Sequence, residues 1–184
     1  MRIEKLRREF DLNVRWSMFP LHPETPPGGV DLHDLFAGRM DVAAALARLR
    51  LVAGELELPF GERTRTFNSR KAQELAKWAE EKGAGGAFHQ AVYRAYFDEG
   101  KNIARPDVLA AVAGSVGLDP EMALQIAESG RFAAAVDDDW QRAGQLGVTA
   151  VPTLLFQGRR LVGFQSDEVC RAFVAGTEEP DRSF

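Results

Sequence analysis

The apolar and polar residues of this chain follow two different periods, and the change of period divides it into three parts. Within residues 1–10 apolar side chains recur at helical spacing with charges between them, which predicts an amphipathic helix. From residue 12 to residue 18 they alternate strictly with polar ones, which predicts a strand. Residues 19–29 contain four prolines and two glycines and are predicted to form a loop.

Residues 31–130 follow the helical period almost throughout. Helix starts are predicted where a capping residue or a first-turn proline precedes an apolar run, and Gly83 is predicted to stop one helix. The four start signals are Asp41, Ser69 (or Asn68 before it), Pro106 and Asp119-Pro120. The apolar run that follows Pro106 contains Val108, Leu109 and Val112.

The last third of the chain is predicted to contain a helix, two strands and a closing helix. Phe132, Val136, Trp140 and Ala143 predict a long helix that ends at Gly147. A short apolar strand over 153–156 and a second strand around Leu161 and Val162 follow, joined by a tight turn at Gln157-Gly158, and Ser166 or Asp167 caps a closing helix.

Strands at both ends and helices in the middle predict an α/β domain that carries a large all-helical insertion. The first domain comprises residues 1–30 and 131–176, the insertion comprises residues 31–130, and residues 177–184 form a polar tail.

Composition and charge exclude several classes of function. The 184 residues carry a net charge of −4, whereas a nucleic-acid-binding protein normally presents a basic face. No apolar stretch approaches the length of about 18 residues that spans a membrane. The charged N-terminus lacks an apolar signal core, and one cysteine allows no internal disulfide, so a cytoplasmic location is predicted.

Few side chains offer independent chemistry. Cys170 lies at helical spacing from Phe173 and Val174, which favours a buried small hydrophobe over a nucleophile. His22, His33 and His89 lack metal-ligand spacing, so no metal site is predicted. The run Asp137-Asp138-Asp139 is interpreted as a solvated helix face.

The ordered set of motifs resembles the DsbA-like branch of the thioredoxin superfamily, in particular its FrnE-like group. That group is related to 2-hydroxychromene-2-carboxylate isomerases and kappa-class glutathione transferases. The resemblance covers nearly the whole chain. Its segments are Val14-Arg15-Trp16, Phe19-Pro20-Leu21-His22-Pro23, Phe67-Asn68-Ser69-Arg70-Lys71-Ala72, Ala87-Phe88-His89, Tyr96-Phe97, Gly117-Leu118-Asp119, Val151-Pro152-Thr153 and Gly163.

The resemblance implies a cis peptide bond before the proline of Val-Pro-Thr, and a substrate groove beside it. The implied substrate-binding residues are Val151, Pro152, Thr153, Phe19, Leu21, His22 and Asn68. Two of them have an ordinary structural alternative, since His22 also fits a surface loop and Asn68, with Ser69, also fits a helix cap.

The family's Cys-x-x-Cys motif is absent from these residues, so no catalytic residue is assigned. The chain starts within what resembles the family's first helix, and we expect the first strand and the motif to lie upstream. The resemblance implies a thiol–disulfide oxidoreductase that is redox-inactive without them. A glutathione-dependent isomerase or transferase that uses serine, with glutathione as its ligand, and a non-catalytic binding module are the alternatives.

The predicted sheet is therefore incomplete, since the strands at 12–18 and 153–156 lack the neighbour that they share in the family. For the 184-residue chain we expect the two strands to close up and pair, or an edge to pair with a second copy in a homodimer. The expected substrate is a protein thiol or disulfide, or a small molecule. No cofactor is expected outside the glutathione alternative.

Overall fold

A computed structural model describes residues 2–177 of the chain. The described residues form two compact units, one made of residues 2–21 with 139–177 and the other of residues 22–138. The middle unit thus begins earlier and ends later than the predicted insertion. Within the described range, none of the helices combines the length and the apolar character needed to cross a membrane.

Helices predominate along the chain, and the strands are short. The elements in chain order are α1 (Arg2–Glu9), β1 (Val30–Asp31), α2 (Leu32–Leu35), α3 (Val42–Glu55), β2 (Arg65–Thr66), α4 (Arg70–Glu81), α5 (Gly85–Phe97), α6 (Pro106–Ser115), α7 (Pro120–Ser129), α8 (Ala133–Gln145), β3 (Thr153–Phe156), β4 (Arg159–Val162) and α9 (Asp167–Ala175).

In the first unit, α1 packs against α9. Leu6 on α1 is buried, and Cys170 and Phe173 on α9 are buried as well. An ion pair of 2.8 Å between Arg171 Nε and a Glu9 carboxylate oxygen joins the two helices at the surface. Strands β3 and β4 form an antiparallel hairpin in which Thr153 lies opposite Val162.

The predicted strand at 12–18 does not form, which corrects the sequence analysis. The described residues contain two sheets of two strands each, and neither includes this segment. The predicted closure of 12–18 onto 153–156 is absent for the same reason. An alternating pattern fits a half-buried strand, but a strand also needs a hydrogen-bonded neighbour from elsewhere in the chain, and none of the described residues provides one.

The second unit is a group of packed helices in which α4 contacts α5, α6 and α7. The predicted starts are confirmed. Asp41 accepts a hydrogen bond from the Ala44 amide, Asp119 accepts from the amides of Glu121 and Met122, and Pro106 and Pro120 lie in the first turns of α6 and α7.

The short antiparallel pair β1–β2, in which Val30 lies opposite Thr66, was not predicted. Two-residue strands carry too little periodicity to be recognised in a sequence.

Candidate functional site

The Val-Pro-Thr segment lies in a loop of the first unit that is fixed on both sides. Before it, Gly147 ends α8 in the left-handed conformation, and its carbonyl accepts a hydrogen bond of 2.6 Å from Arg160 Nη1. After it, the Gly163 amide donates to the Pro152 carbonyl at 2.8 Å and so continues the pairing of the β3–β4 hairpin. Gly163 has a φ of 83°, a backbone conformation that a residue with a Cβ rarely adopts.

Within this frame the Val151–Pro152 peptide bond is cis, which agrees with the expectation from the sequence. The Thr153 hydroxyl donates to the Ala150 carbonyl at 2.7 Å and holds the turn from inside. Val151 itself is 47% exposed, and its backbone N–H and C=O have no hydrogen-bond partner anywhere in residues 2–177. The loop thus carries an exposed valine whose two backbone hydrogen-bonding groups have no partner among the described residues.

A second segment of the same unit carries Phe19 and Leu21. Phe19 is half-buried, Leu21 is exposed, and the Leu21 amide donates to the Phe19 carbonyl at 3.1 Å. Asp139 anchors the residues just before them, because its two carboxylate oxygens accept from Arg15 Nη2 at 3.0 Å and from the Met18 amide at 2.9 Å.

Asp139 was missed by the sequence analysis, which placed it on a solvated face. Asp137 and Asp138 are exposed as predicted, but Asp139 is only 1% exposed. The signal was present in the spacing: Asp139 lies three residues after buried Val136 and four before buried Ala143, and therefore on the apolar face of α8. Asp139 is a positioning residue for the segment that precedes Phe19.

The remaining two predicted residues, His22 and Asn68, lie in the second unit. The Asn68 amide nitrogen donates to the carbonyls of Pro23 and Thr25 at 3.1 and 2.7 Å. Its amide oxygen accepts from the Arg70 backbone at 2.8 Å, at the start of α4. Asn68 therefore caps the helix and holds the 22–25 turn in place, whereas Ser69 makes no side-chain cap.

The turn that Asn68 holds carries His22 at its start. His22 is half-buried, with its Nδ1 3.6 Å from a Glu24 carboxylate oxygen and its ring edge-on to Phe36 at 6.1 Å. His22 and Asn68 are thus joined in one local arrangement through the backbone of residues 22–25.

Other titratable or nucleophilic candidates offer no second site. Cys170 is buried, as predicted. His33 is exposed, and burial lowers the pKa of His89 below its ordinary value. Among residues 2–177 no group of three or more His, Cys, Asp or Glu side chains is arranged to hold a metal ion.

The fold and the proline loop together define a thioredoxin-like domain of the DsbA type with helices between its two sequence segments. The family described as the DSBA-like thioredoxin domain matches residues 1–175. The chain therefore belongs to the DsbA-like thioredoxin family.

Solved structures agree with this assignment at the level of the fold. A probable DsbA oxidoreductase from Streptomyces coelicolor is 24% identical with a TM-score of 0.83, over 100% of this chain and 86% of that one. A 2-hydroxychromene-2-carboxylate isomerase is 18% identical with a TM-score of 0.70, over 96% and 85%. The cytosolic disulfide reductase DsbM from Pseudomonas aeruginosa is 23% identical with a TM-score of 0.57, over 88% and 80%. No curated protein matches the sequence significantly.

Proposed function

We propose that this protein serves the thiol–disulfide chemistry of the DsbA-like class, and that the residues described here provide its substrate-binding surface. In this proposal an extended, cysteine-containing polypeptide binds beside Val151. In the same proposal the protein belongs to the FrnE-like group and works in the cytoplasm. The 184 residues contain one cysteine and so form no internal disulfide, which fits a reducing compartment.

The observation that carries the proposal is the state of Val151. An exposed residue whose backbone N–H and C=O are unpaired within residues 2–177, in a loop fixed on both sides, can pair with an extended chain as an added strand. The loop is fixed before the substrate arrives, so little conformational entropy is lost on binding. Backbone pairing recognises any extended chain, and the Val151 side chain adds an apolar contact.

The 184 residues supply no dithiol, because Cys170 is the single cysteine and is buried. Thiol–disulfide exchange proceeds through a mixed disulfide that a second thiol resolves. In an insulin-reduction assay with dithiothreitol, the 184-residue chain is therefore expected to give no turnover above the reagent alone. Turnover that persists in Cys170→Ala would contradict this reasoning.

Binding is tested separately, by fluorescence anisotropy with a labelled extended peptide that carries a central S-methylated cysteine. Val151→Asp places a charge against the bound chain and is expected to weaken binding by about tenfold, equivalent to about 1.4 kcal/mol. Leu155→Asp is the matched control, because Leu155 is also 47% exposed in the same unit but lies on β3. Equal effects of the two substitutions, or none from either, would remove Val151 from the site.

A second candidate is a glutathione-dependent isomerase or transferase. It is favoured by the absence of a second cysteine from these residues, since such an enzyme needs no dithiol. Isothermal titration with reduced glutathione distinguishes the two functions. Glutathione binding that Val151→Asp abolishes, without any binding of the peptide, would favour the second candidate. Peptide binding in a chain that gains no activity from added thiols would favour a non-catalytic binding module.

A further inference from the structure

A short segment between α3 and α4 of the second unit is fixed at both of its ends. At its start the Gly61 amide donates to the Phe97 carbonyl at 2.9 Å. A Cβ on Gly61 would overlap the Asp98 carbonyl oxygen, so the absence of a side chain lets the segment lie directly against the end of α5. At its other end β2 pairs with β1. Arg63 lies between these two anchors.

The aromatic residues at the end of α5 hold the guanidinium group of Arg63. Its Cζ atom lies 4.4 Å from the centre of the Tyr96 ring and 4.6 Å from the centre of the Phe97 ring, which are cation–π distances. Its Nη2 donates to the Tyr96 hydroxyl at 2.6 Å, and that hydroxyl is 2.8 Å from the hydroxyl of buried Thr66. These contacts orient the guanidinium group without neutralising its charge.

Arg63 is half-buried, and no carboxylate of residues 2–177 pairs with it. Its Nε is buried and has no hydrogen-bond partner among the same residues. Arg70, a half-buried arginine of the same unit, is by contrast bound to Glu74 at 2.8 Å and to Asp137 at 2.7 Å. Because removal of a cation from water is costly, a partly buried cation is normally paired with an anion. A buried donor without a protein partner calls for an explanation, and a bound ion is one.

A cavity of about 90 Å³ adjoins Arg63. Its lining includes Arg63, Arg65, Glu62, Phe67 and Tyr96. One water needs about 10–15 Å³ when volume is measured in this way. The cavity therefore has room for a group of several non-hydrogen atoms.

The charged residues of the lining favour an anion. Nη2 of Arg65 donates to the carbonyls of Gly28 and Gly29 at 3.2 and 3.0 Å, which fixes this second guanidinium group but leaves it charged. Within residues 2–177 neither Arg63 nor Arg65 forms an ion pair with Glu62 or with any other carboxylate, and Glu62 is exposed. The lining thus carries two cations without a protein counter-ion and one solvated anion.

We propose that this cavity binds the phosphate group of a small molecule. A phosphorylated group carries about −1.5 to −2 charges at pH 7 and three acceptor oxygens, so it can accept from both guanidinium groups at once. A carboxylate has one charge and two oxygens and compensates one arginine. The planar N–H donors of arginine match phosphate oxygens in pairs. The site is independent of the peptide-binding surface at Val151, because all of its residues belong to the second unit.

The test is isothermal titration of the 184-residue chain with inorganic phosphate, at constant ionic strength in a buffer free of other oxyanions. The wild-type chain is expected to bind one phosphate with a dissociation constant in the millimolar range. Affinity is expected to fall as salt is added, because both arginines are partly exposed. Acetate at the same ionic strength is expected to bind about tenfold more weakly, since it carries one charge. Acetate that binds as tightly as phosphate would overturn the assignment to phosphate.

Three variants locate the site. Arg63→Lys keeps the positive charge but removes the planar set of donors, and is expected to weaken phosphate binding by about tenfold. Arg48→Gln is the matched control, because Arg48 is an exposed arginine of α3 in the same unit that does not line the cavity, and is expected to leave binding unchanged. Glu62→Gln removes the opposing charge and is expected to strengthen binding by about threefold.

Far-ultraviolet circular dichroism checks that each variant keeps the helical fold. Glu62→Gln changes an exposed side chain and therefore reports on the site whatever Arg63→Lys does to its segment. Weaker binding in Arg63→Lys with stronger binding in Glu62→Gln supports the proposal. It is overturned if the wild-type chain shows no saturable phosphate binding, if Arg63→Lys binds as tightly as the wild type, or if Arg48→Gln loses as much affinity as Arg63→Lys.

Discussion

The two compact units bury apolar side chains to very different extents. Among the described residues of the first unit four apolar residues are buried: Leu6, Ala143, Cys170 and Phe173. The second unit has a helical core whose innermost members have no exposed surface, and these are Leu75, Ala79, Phe88, Leu109, Ala113, Ala123 and Val136.

The difference locates stability and binding in different places. The second unit holds itself together by the packing of α4, α5, α6 and α7 against one another. The first unit relies on a two-stranded hairpin, two packed helices and the buried Asp139. It also exposes Val151 and Leu155. Regions with few buried apolar contacts open more easily and are commonly the ones that receive ligands.

The largest expected effect is in the core of the second unit. Leu109→Ala is expected to lower the free energy of unfolding by about 3 kcal/mol, because the neighbouring helices cannot close around the cavity. Leu6→Ala removes the same atoms from a buried site in the first unit, and is expected to cost less, about 2 kcal/mol, because that sparse core can collapse. Urea denaturation of both variants measures the two values. A Leu6→Ala cost equal to that of Leu109→Ala would break the comparison.

A smaller effect is expected where the first unit depends on a polar contact. Asp139→Asn retains the shape but replaces an acceptor oxygen by a donor, which faces either Arg15 or the Met18 amide. We expect a loss of about 2 kcal/mol in urea denaturation, since a buried polar group then lacks its partner. Asp137→Asn is the matched control, two residues away and exposed, and is expected to change stability less. An equal cost for both would show that Asp139 does not anchor residues 15–18.

The next effect concerns the cap at the start of α4. Asn68→Ala removes the hydrogen bonds to the Pro23 and Thr25 carbonyls and to the Arg70 amide. The expected loss is about 1 kcal/mol, typical of a helix cap. Ser69→Ala is the control, because Ser69 makes no side-chain cap. If Ser69→Ala costs as much in thermal unfolding, the capping role of Asn68 is wrong.

The smallest effect is a pH dependence within the second unit. Burial lowers the pKa of His89 below its ordinary value of 6.5. The unfolded chain therefore binds the proton more readily, so stability is complete above about pH 6.5 and decreases as pH falls towards the folded pKa. His89→Gln is expected to flatten the urea midpoint between neutral and mildly acidic pH. A His89→Gln variant that keeps the full pH dependence of the wild-type chain would contradict this assignment.

Local signals in the sequence were sufficient for most of the fold. Caps such as Asp41 and Asp119 and first-turn prolines located helices correctly, because helix hydrogen bonds join residues four apart. The hairpin at 153–162 was also found, since its turn is local. The prediction of a strand at 12–18 was wrong, because an alternating pattern does not indicate whether a neighbouring strand is present to pair with it.

For the candidate site, the sequence by itself determined the family, the proline loop and the absence of a second cysteine. The tertiary structure alone decided that Val151 is exposed, with backbone groups that no described residue pairs, and that Asp139 is buried against Arg15 and Met18. The physical reason is that a residue's type and spacing fix its local conformation and its preferred environment. Its hydrogen-bond partners and its exposure depend on which distant segments lie beside it, and only the folded chain specifies those.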